Sequence, residues 1–205
     1  NPLLHAPLLP LLVRLALPTV AVLFVQTVLS VAETYFVSGL GVDAIAAASL
    51  VVPVMLLMTM VSHGGVGGGV SSPVARALGA GRQDEAESLA WHSVVIAIVA
   101  GALFTVALFA AGPMLYRRLG GTGASLQQAL QYSNILFGGA IVFWVSSLLQ
   151  SALRGAGNVR TPALIMLGSV GAGLLISPIL ILGGLGLPRM GVAGAGVAQV
   201  LCTAG

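Results

Sequence analysis

The stretch Leu12–Val37, LVRLALPTVAVLFVQTVLSVAETYFV, decides the fold. At 1.5 Å of helical rise per residue it is long enough to cross a hydrocarbon core of about 30 Å. It contains no A-x-A type cleavage site and is too long for a signal-peptide core, so it reads as a first membrane helix. Working outward, comparable apolar runs cover Ala44–Val70, Leu89–Leu115, Leu126–Ala152, Pro162–Leu182 and Met190 to the end of the sequence. The connectors between them are short and hold nearly every charge. Backbone polar groups cannot stay unpaired in lipid, and these runs lack the period-two alternation of barrel strands. The sequence therefore predicts an all-α, polytopic membrane protein with six transmembrane helices.

Composition excludes the competing classes. Apolar residues make up 58% of the chain and charged residues 6%, against about 45–50% and roughly 25% in soluble domains. Soluble, fibrous and disordered chains are thereby set aside. The net charge of +3 comes from eight arginines, no lysine and five acids. That is too sparse and scattered for a nucleic-acid footprint, so nucleic acid is not a partner. A single cysteine, Cys202, excludes an internal disulfide and a cysteine metal cluster. His5, His63 and His92 have no metal-ligand spacing, and no Ser-x-x-Lys or Gly-x-Ser-x-Gly element marks a nucleophile. The expectation is no metal, no cofactor and no enzyme. Because residue 1 is Asn and the sequence stops at Gly205 inside an apolar run, it is read as a piece of a longer protein.

Arginine placement sets an expected orientation. With the amino terminus in the cytoplasm, Arg14, Arg76, Arg82, Arg154 and Arg160 lie inside and Arg117, Arg118 and Arg189 outside, five against three. The 28 glycines gather at Gly64, Gly65, Gly67, Gly68 and Gly69 and around Gly168, Gly171 and Gly173. There they are expected to let helix backbones pack closely. The first cluster lacks the Gly-Lys-Ser/Thr ending and the preceding strand of a phosphate loop.

Four of the acids, Asp43, Asp84, Glu85 and Glu87, fall in polar connectors and read as solvated. Glu33 differs, because Val28, Leu29 and Val31 precede it within the first run. A central acid costs a helix about 2.5–3.5 kcal/mol on insertion scales, which the Leu, Val and Phe residues of this run offset at about −0.3 to −0.6 each. Gln26, Ser30 and Glu33 recur at i, i+4 and i+7, a single helical face expected to border a cavity. Desolvation there would raise the carboxyl pKa toward neutrality, letting proton and charged ligand compete. Pro18, 15 residues earlier, is a candidate hinge. His63 reads as a hydrogen-bonded core imidazole rather than a relay.

These residues resemble the multidrug and toxic compound extrusion (MATE) family of antiporters over nearly the whole chain. The likeness is carried by Ala16-Leu17-Pro18, Glu33-Thr34-Tyr35-Phe36-Val37 through Gly41, and Ala46-Ala47-Ala48-Ser49-Leu50 with Pro53. It continues through Arg76-Ala77-Leu78-Gly79-Ala80-Gly81-Arg82, Leu153-Arg154-Gly155-Ala156-Gly157-Asn158 and Gly191-Val192-Ala193-Gly194-Ala195-Gly196. The resemblance implies that residues 1–205 form the amino-terminal six-helix lobe of a twelve-helix transporter, the carboxy-terminal lobe lying elsewhere in the same chain. It also implies an inner, plasma-membrane location with the amino terminus cytoplasmic. Glu33 would take the place of a coupling aspartate whose protonation is linked to bending at Pro18. Gln26, Gln150, Gln199 and the apolar Met166 would line the substrate cavity with Ser30 and Ser177. Where the family commonly shows an asparagine and then an acid or amide before a proline, this chain has Gly173 and Ser177 before Pro178. That departure removes oxygen ligands a sodium ion would need and favours a proton as the coupling ion, with sodium the lesser option.

The expected function is proton-coupled export of amphipathic or cationic drugs and toxic compounds by alternating access. One alternative is a lipid or lipid-linked oligosaccharide flippase, which would call for a more basic cavity. Another is a non-transporting scaffold subunit, which would have no use for the polar stripe leading to Glu33.

Overall fold

The computed structural model describes residues 8–182 and 191–204, and all of them are helical or in short connectors. The side chains of Pro18 and Glu33, with Arg14, His5, Arg189 and Met190, lie outside the described residues. The helices are α1 (Leu8–Ser38), α2 (Val42–Thr59), α3 (Gly67–Gly79), α4 (Gln83–Arg118), α5 (Gly123–Gly138), α6 (Ala140–Gly155), α7 (Arg160–Leu182) and α8 (Val192–Ala204). A π-helical turn, Met60–Val66, joins α2 to α3 without interrupting the second span. The six apolar blocks map onto α1, α2 through α3, α4, α5 with α6, α7 and α8. By length and composition Val42–Gly79, Gln83–Arg118 and Arg160–Ile181 each suffice to cross a membrane, and the α5–α6 pair makes a fourth such unit.

Local chemistry sets the ends of these helices. Gly81 and Gly157 adopt left-handed backbone at φ 74° and 80°. Each closes a helix through a long bond from the following residue, Arg82 N–H to Ala77 O and Asn158 N–H to Leu153 O, both 2.9 Å. Thr122 and Ser125 form a capping box at the start of α5. Asn158 Oδ1 accepts the Thr161 N–H at 3.1 Å and so caps α7.

Packing is built on the fourth span. Helices α4 and α3 flank α6, α2 and α8 flank α5, and α7 lies between α8 and α1. The core holds Trp144, Tyr116, Phe137, Met58, Leu148 and Val51, all fully buried. Two cross-helix bonds secure it: Tyr116 Oη and Ser133 Oγ are 2.7 Å apart, and Thr105 Oγ1 donates to Phe137 O at 2.7 Å. A Cβ on Gly101 would stand 2.6 Å from Ile141 Cα, so glycine alone permits this approach of α4 to α6.

Three sequence expectations need correction in detail. The fourth block is not one straight helix but bends by 47° between Gly138 and Ala140. The second continues to Gly79, past Pro73, and contains the π turn. The glycine clusters pack only in part. Gly67 faces Ser151 and Gly173 faces Leu29 and Cys202, but Gly64, Gly65, Gly68, Gly69, Gly168 and Gly171 have no neighbour within 4 Å of an added Cβ. Those six lie on open helix faces, so interhelical packing within this bundle does not explain them.

Candidate coupling and substrate site

Helix α1 leans on α7 and leaves much of its surface open. Gln26 and Ser30 are both exposed on it, as are Phe24 and Tyr35. A shallow hollow of about 350 Å³ runs along this face, lined by Ser30, Val31, Thr34, Tyr35 and Ser38. Its hydroxyls are turned back on their own helix: Thr34 donates to Ser30 O at 2.8 Å and Ser38 to Tyr35 O at 2.7 Å. Self-satisfied hydroxyls of this kind lower the cost of a polar stripe in an apolar span.

The register of α1 against α7 follows from contacts at glycines. A Cβ on Gly173 would lie 3.5 Å from Leu29 and from Cys202 Sγ; at the start of α8, one on Gly191 would lie 3.8 Å from Leu40 and one on Gly194 2.5 Å from Leu180 O, near the end of α7. Helices α1 and α7 therefore run in the same direction. One turn beyond Leu29 along α1 is Glu33, and one turn beyond Gly173 along α7 is Ser177. The Ser177 side chain is 1% exposed, and its hydroxyl has no hydrogen-bond partner among the described residues. A buried hydroxyl of this kind is rare and expensive in apolar surroundings. Ser177 sits one turn along α7 from Gly173, which meets Leu29 and Cys202, and so level with Glu33 on the α1 backbone.

The other candidates divide between two places. Gln199 is half-buried on α8, where Tyr132 Oη donates to its Oε1 at 3.5 Å and Thr203 Oγ1 donates to its carbonyl at 2.7 Å. It borders a cavity of about 20 Å³ at the bend of the fourth span, with Met55, Met58, Gly139, Phe143 and Thr203, room for about one water. Met166 is half-buried on α7, seven residues before Gly173 and so about 10 Å from it along the axis. Gln150 sits on the face of α6 turned toward the second span, its Oε1 buried and unpartnered. Thus α1, α7 and α8 bring Leu29, Gly173 and Cys202 together, with Ser177 one turn along α7, while Gln150 lies on α6. Sequence reading missed Thr105 and Thr203, each a single hydroxyl in an apolar run, and Tyr132, one of several polar residues in Gln131–Asn134; only the fold shows what they meet.

A bundle of membrane-length helices with polar residues placed inside it, and an acid in its first span, is the architecture of a multi-pass membrane transporter lobe. The family is shown by comparison: the MatE family model matches residues 18–179, and the chain belongs to that family of transporters, which are not enzymes. It is 30% identical over 202 residues to a protein named FAD transporter from Shewanella oneidensis, covering 97% of this chain and 44% of that protein. It is 29% identical over 197 residues to a probable multidrug resistance protein NorM from Thermotoga maritima, covering 93% and 41%. A crystal structure of MATE in the bent conformation superposes with a TM-score of 0.84 at 32% identity, covering 93% of this chain and 42% of that one. The chain thus spans less than half the length of the relatives it matches.

Proposed function

We propose that residues 1–205 are the amino-terminal lobe of a proton-coupled antiporter that exports amphipathic or cationic compounds by alternating access, with Glu33 exchanging its proton for substrate. The observation that carries this reading is the unpartnered hydroxyl of Ser177, buried at the height of Glu33. In lipid an acid and a hydroxyl without other partners satisfy each other, and the pair costs less than either group alone. A protonated carboxyl donates to Ser177 Oγ; on deprotonation the hydroxyl turns and donates to the carboxylate. The proton can thus leave without unpairing the seam. Ser30 and Gln26, on the same α1 face one and two turns away, offer polar contacts to a substrate entering along the open side. Met166 and Gln199 would contribute from the other helices. Pro18 supplies the bend in α1, in keeping with the crystal structure of MATE in the bent conformation.

The name of the Shewanella relative supports a second reading, export of a flavin dinucleotide. A carboxylate in the path disfavours an anionic pyrophosphate and favours a cation. The test is export from proteoliposomes by the complete chain carrying these residues. An imposed pH gradient should drive efflux of a cationic dye and not of FAD, and Glu33→Gln should abolish it. Efflux of FAD alone would move the assignment to the second reading, and undiminished dye efflux by Glu33→Gln would remove the coupling role.

A further inference from the structure

The second and fourth spans meet along a polar seam in which Glu33 has no part. On α6, Phe143, Ser147, Gln150, Ser151 and Arg154 recur at i, i+4, i+7, i+8 and i+11, a single helical face. Opposite them the π turn and the start of α3 present Ser62, His63 and Gly67. The rings of His63 and Phe143 meet edge to face with centroids 5.9 Å apart. A Cβ on Gly67 would lie 2.7 Å from Ser151 Oγ.

Several links of a hydrogen-bond chain are already in place. Arg154 donates to Ser151 Oγ at 2.9 Å, and Ser151 donates to Ser147 O at 3.0 Å. His63 Nδ1 lies 3.3 Å from Thr59 O and 3.2 Å from Ser62 Oγ. In the tautomer that donates from Nδ1 to Thr59 O, Nε2 is left as an acceptor. On the same α6 face two polar atoms have no partner among the described residues: Ser147 Oγ, on a side chain 2% exposed, and Gln150 Oε1. Trp144 Nε1, one turn away and also buried, is a third. Within a membrane such groups cannot borrow hydrogen bonds from outside, and an immobilised water costs less than leaving them bare. Neither Met60–Gly79 nor Ala140–Gly155 contains an acid, so no carboxylate from these two segments can fill the role.

We propose that this seam holds bound water linking His63 to the Arg154 end of the fourth span, a hydrated route through the lobe separate from the Glu33 face. The water accepts from Trp144 or Ser147, donates to Gln150 Oε1 or His63 Nε2, and joins the Ser151–Arg154 pair. The test is water-edited solid-state NMR of the full chain in liposomes with isotope-labelled histidine and valine. Magnetisation from water should reach the His63 ring within about twofold of the rate at exposed His92, and far faster than it reaches buried Val51. Ser147→Ala, which removes a polar wall and adds no bulk, should slow the transfer to His63 at least about twofold with His92 unchanged. Transfer to His63 as slow as to Val51, or a rate at His63 indifferent to Ser147→Ala, overturns the proposal.

Discussion

At the scale of single residues, the site rests on a mismatch between Ser177 and its surroundings. A serine hydroxyl with 1% exposure and no partner among the described residues is kept at a cost of about 1–3 kcal/mol unless something nearby completes it. If the Glu33 carboxyl is that completion, Ser177→Ala removes a partner from a buried acid. Export by the complete chain should then fall by about three- to tenfold. Were the hydroxyl a bystander, Ser177→Ala would be neutral in transport and slightly stabilising. Thr105 offers a structural control remote from this chemistry. Its hydroxyl serves the carbonyl of Phe137 beside the bend, so Thr105→Val should lower stability by about 1 kcal/mol, read as a lower melting temperature in detergent.

At the scale of elements, glycines divide into those under pressure and those without neighbours. Gly101→Ala places a methyl 2.6 Å from Ile141 Cα, and the α4–α6 contact must open, costing about 1–3 kcal/mol. Gly64→Ala meets open space, and the gain in helix propensity should leave the fold unharmed or more stable by about 1 kcal/mol. Thermal denaturation of the two variants side by side checks both directions. This division also marks what was legible in the sequence. The six apolar blocks could be read because lipid imposes length and apolarity on each segment separately. Capping signals such as Gly81, Gly157 and Asn158 are local and equally readable. The bend at Gly139 was not, because it depends on Thr105 thirty-two residues from Phe137 and on Val200, 2.7 Å from a Cβ at Gly139. Which glycines pack was hidden for the same reason. Of the candidate site, the α1 stripe followed from helical periodicity. The pairing of α1 with α7, which puts Ser177 at the level of Glu33, needed the fold.

At the scale of the molecule, the chain belongs to the MatE family and spans 44% of the Shewanella relative it matches. Much of α1 is unopposed: Phe24 is 70% exposed and Tyr35 74%. On the proposed reading these faces border the central path shared with a second lobe. It follows that residues 1–205 reconstituted alone should give no gradient-driven dye efflux, while the complete chain does. On the same reading the amino terminus lies in the cytoplasm, the side that retained arginine favours. A cysteine introduced at Gly120, in the connector after α4, should then react with an impermeant thiol reagent added outside intact cells, and one at Gly157 should not.

The account turns on whether Glu33 trades a proton for substrate. Its most direct test adds cationic dye to the purified complete chain in weakly buffered detergent and follows pH with an indicator. Wild-type protein should release about one proton per dye bound, and Glu33→Gln should bind dye and release none. Equal proton release by the two proteins would contradict the account.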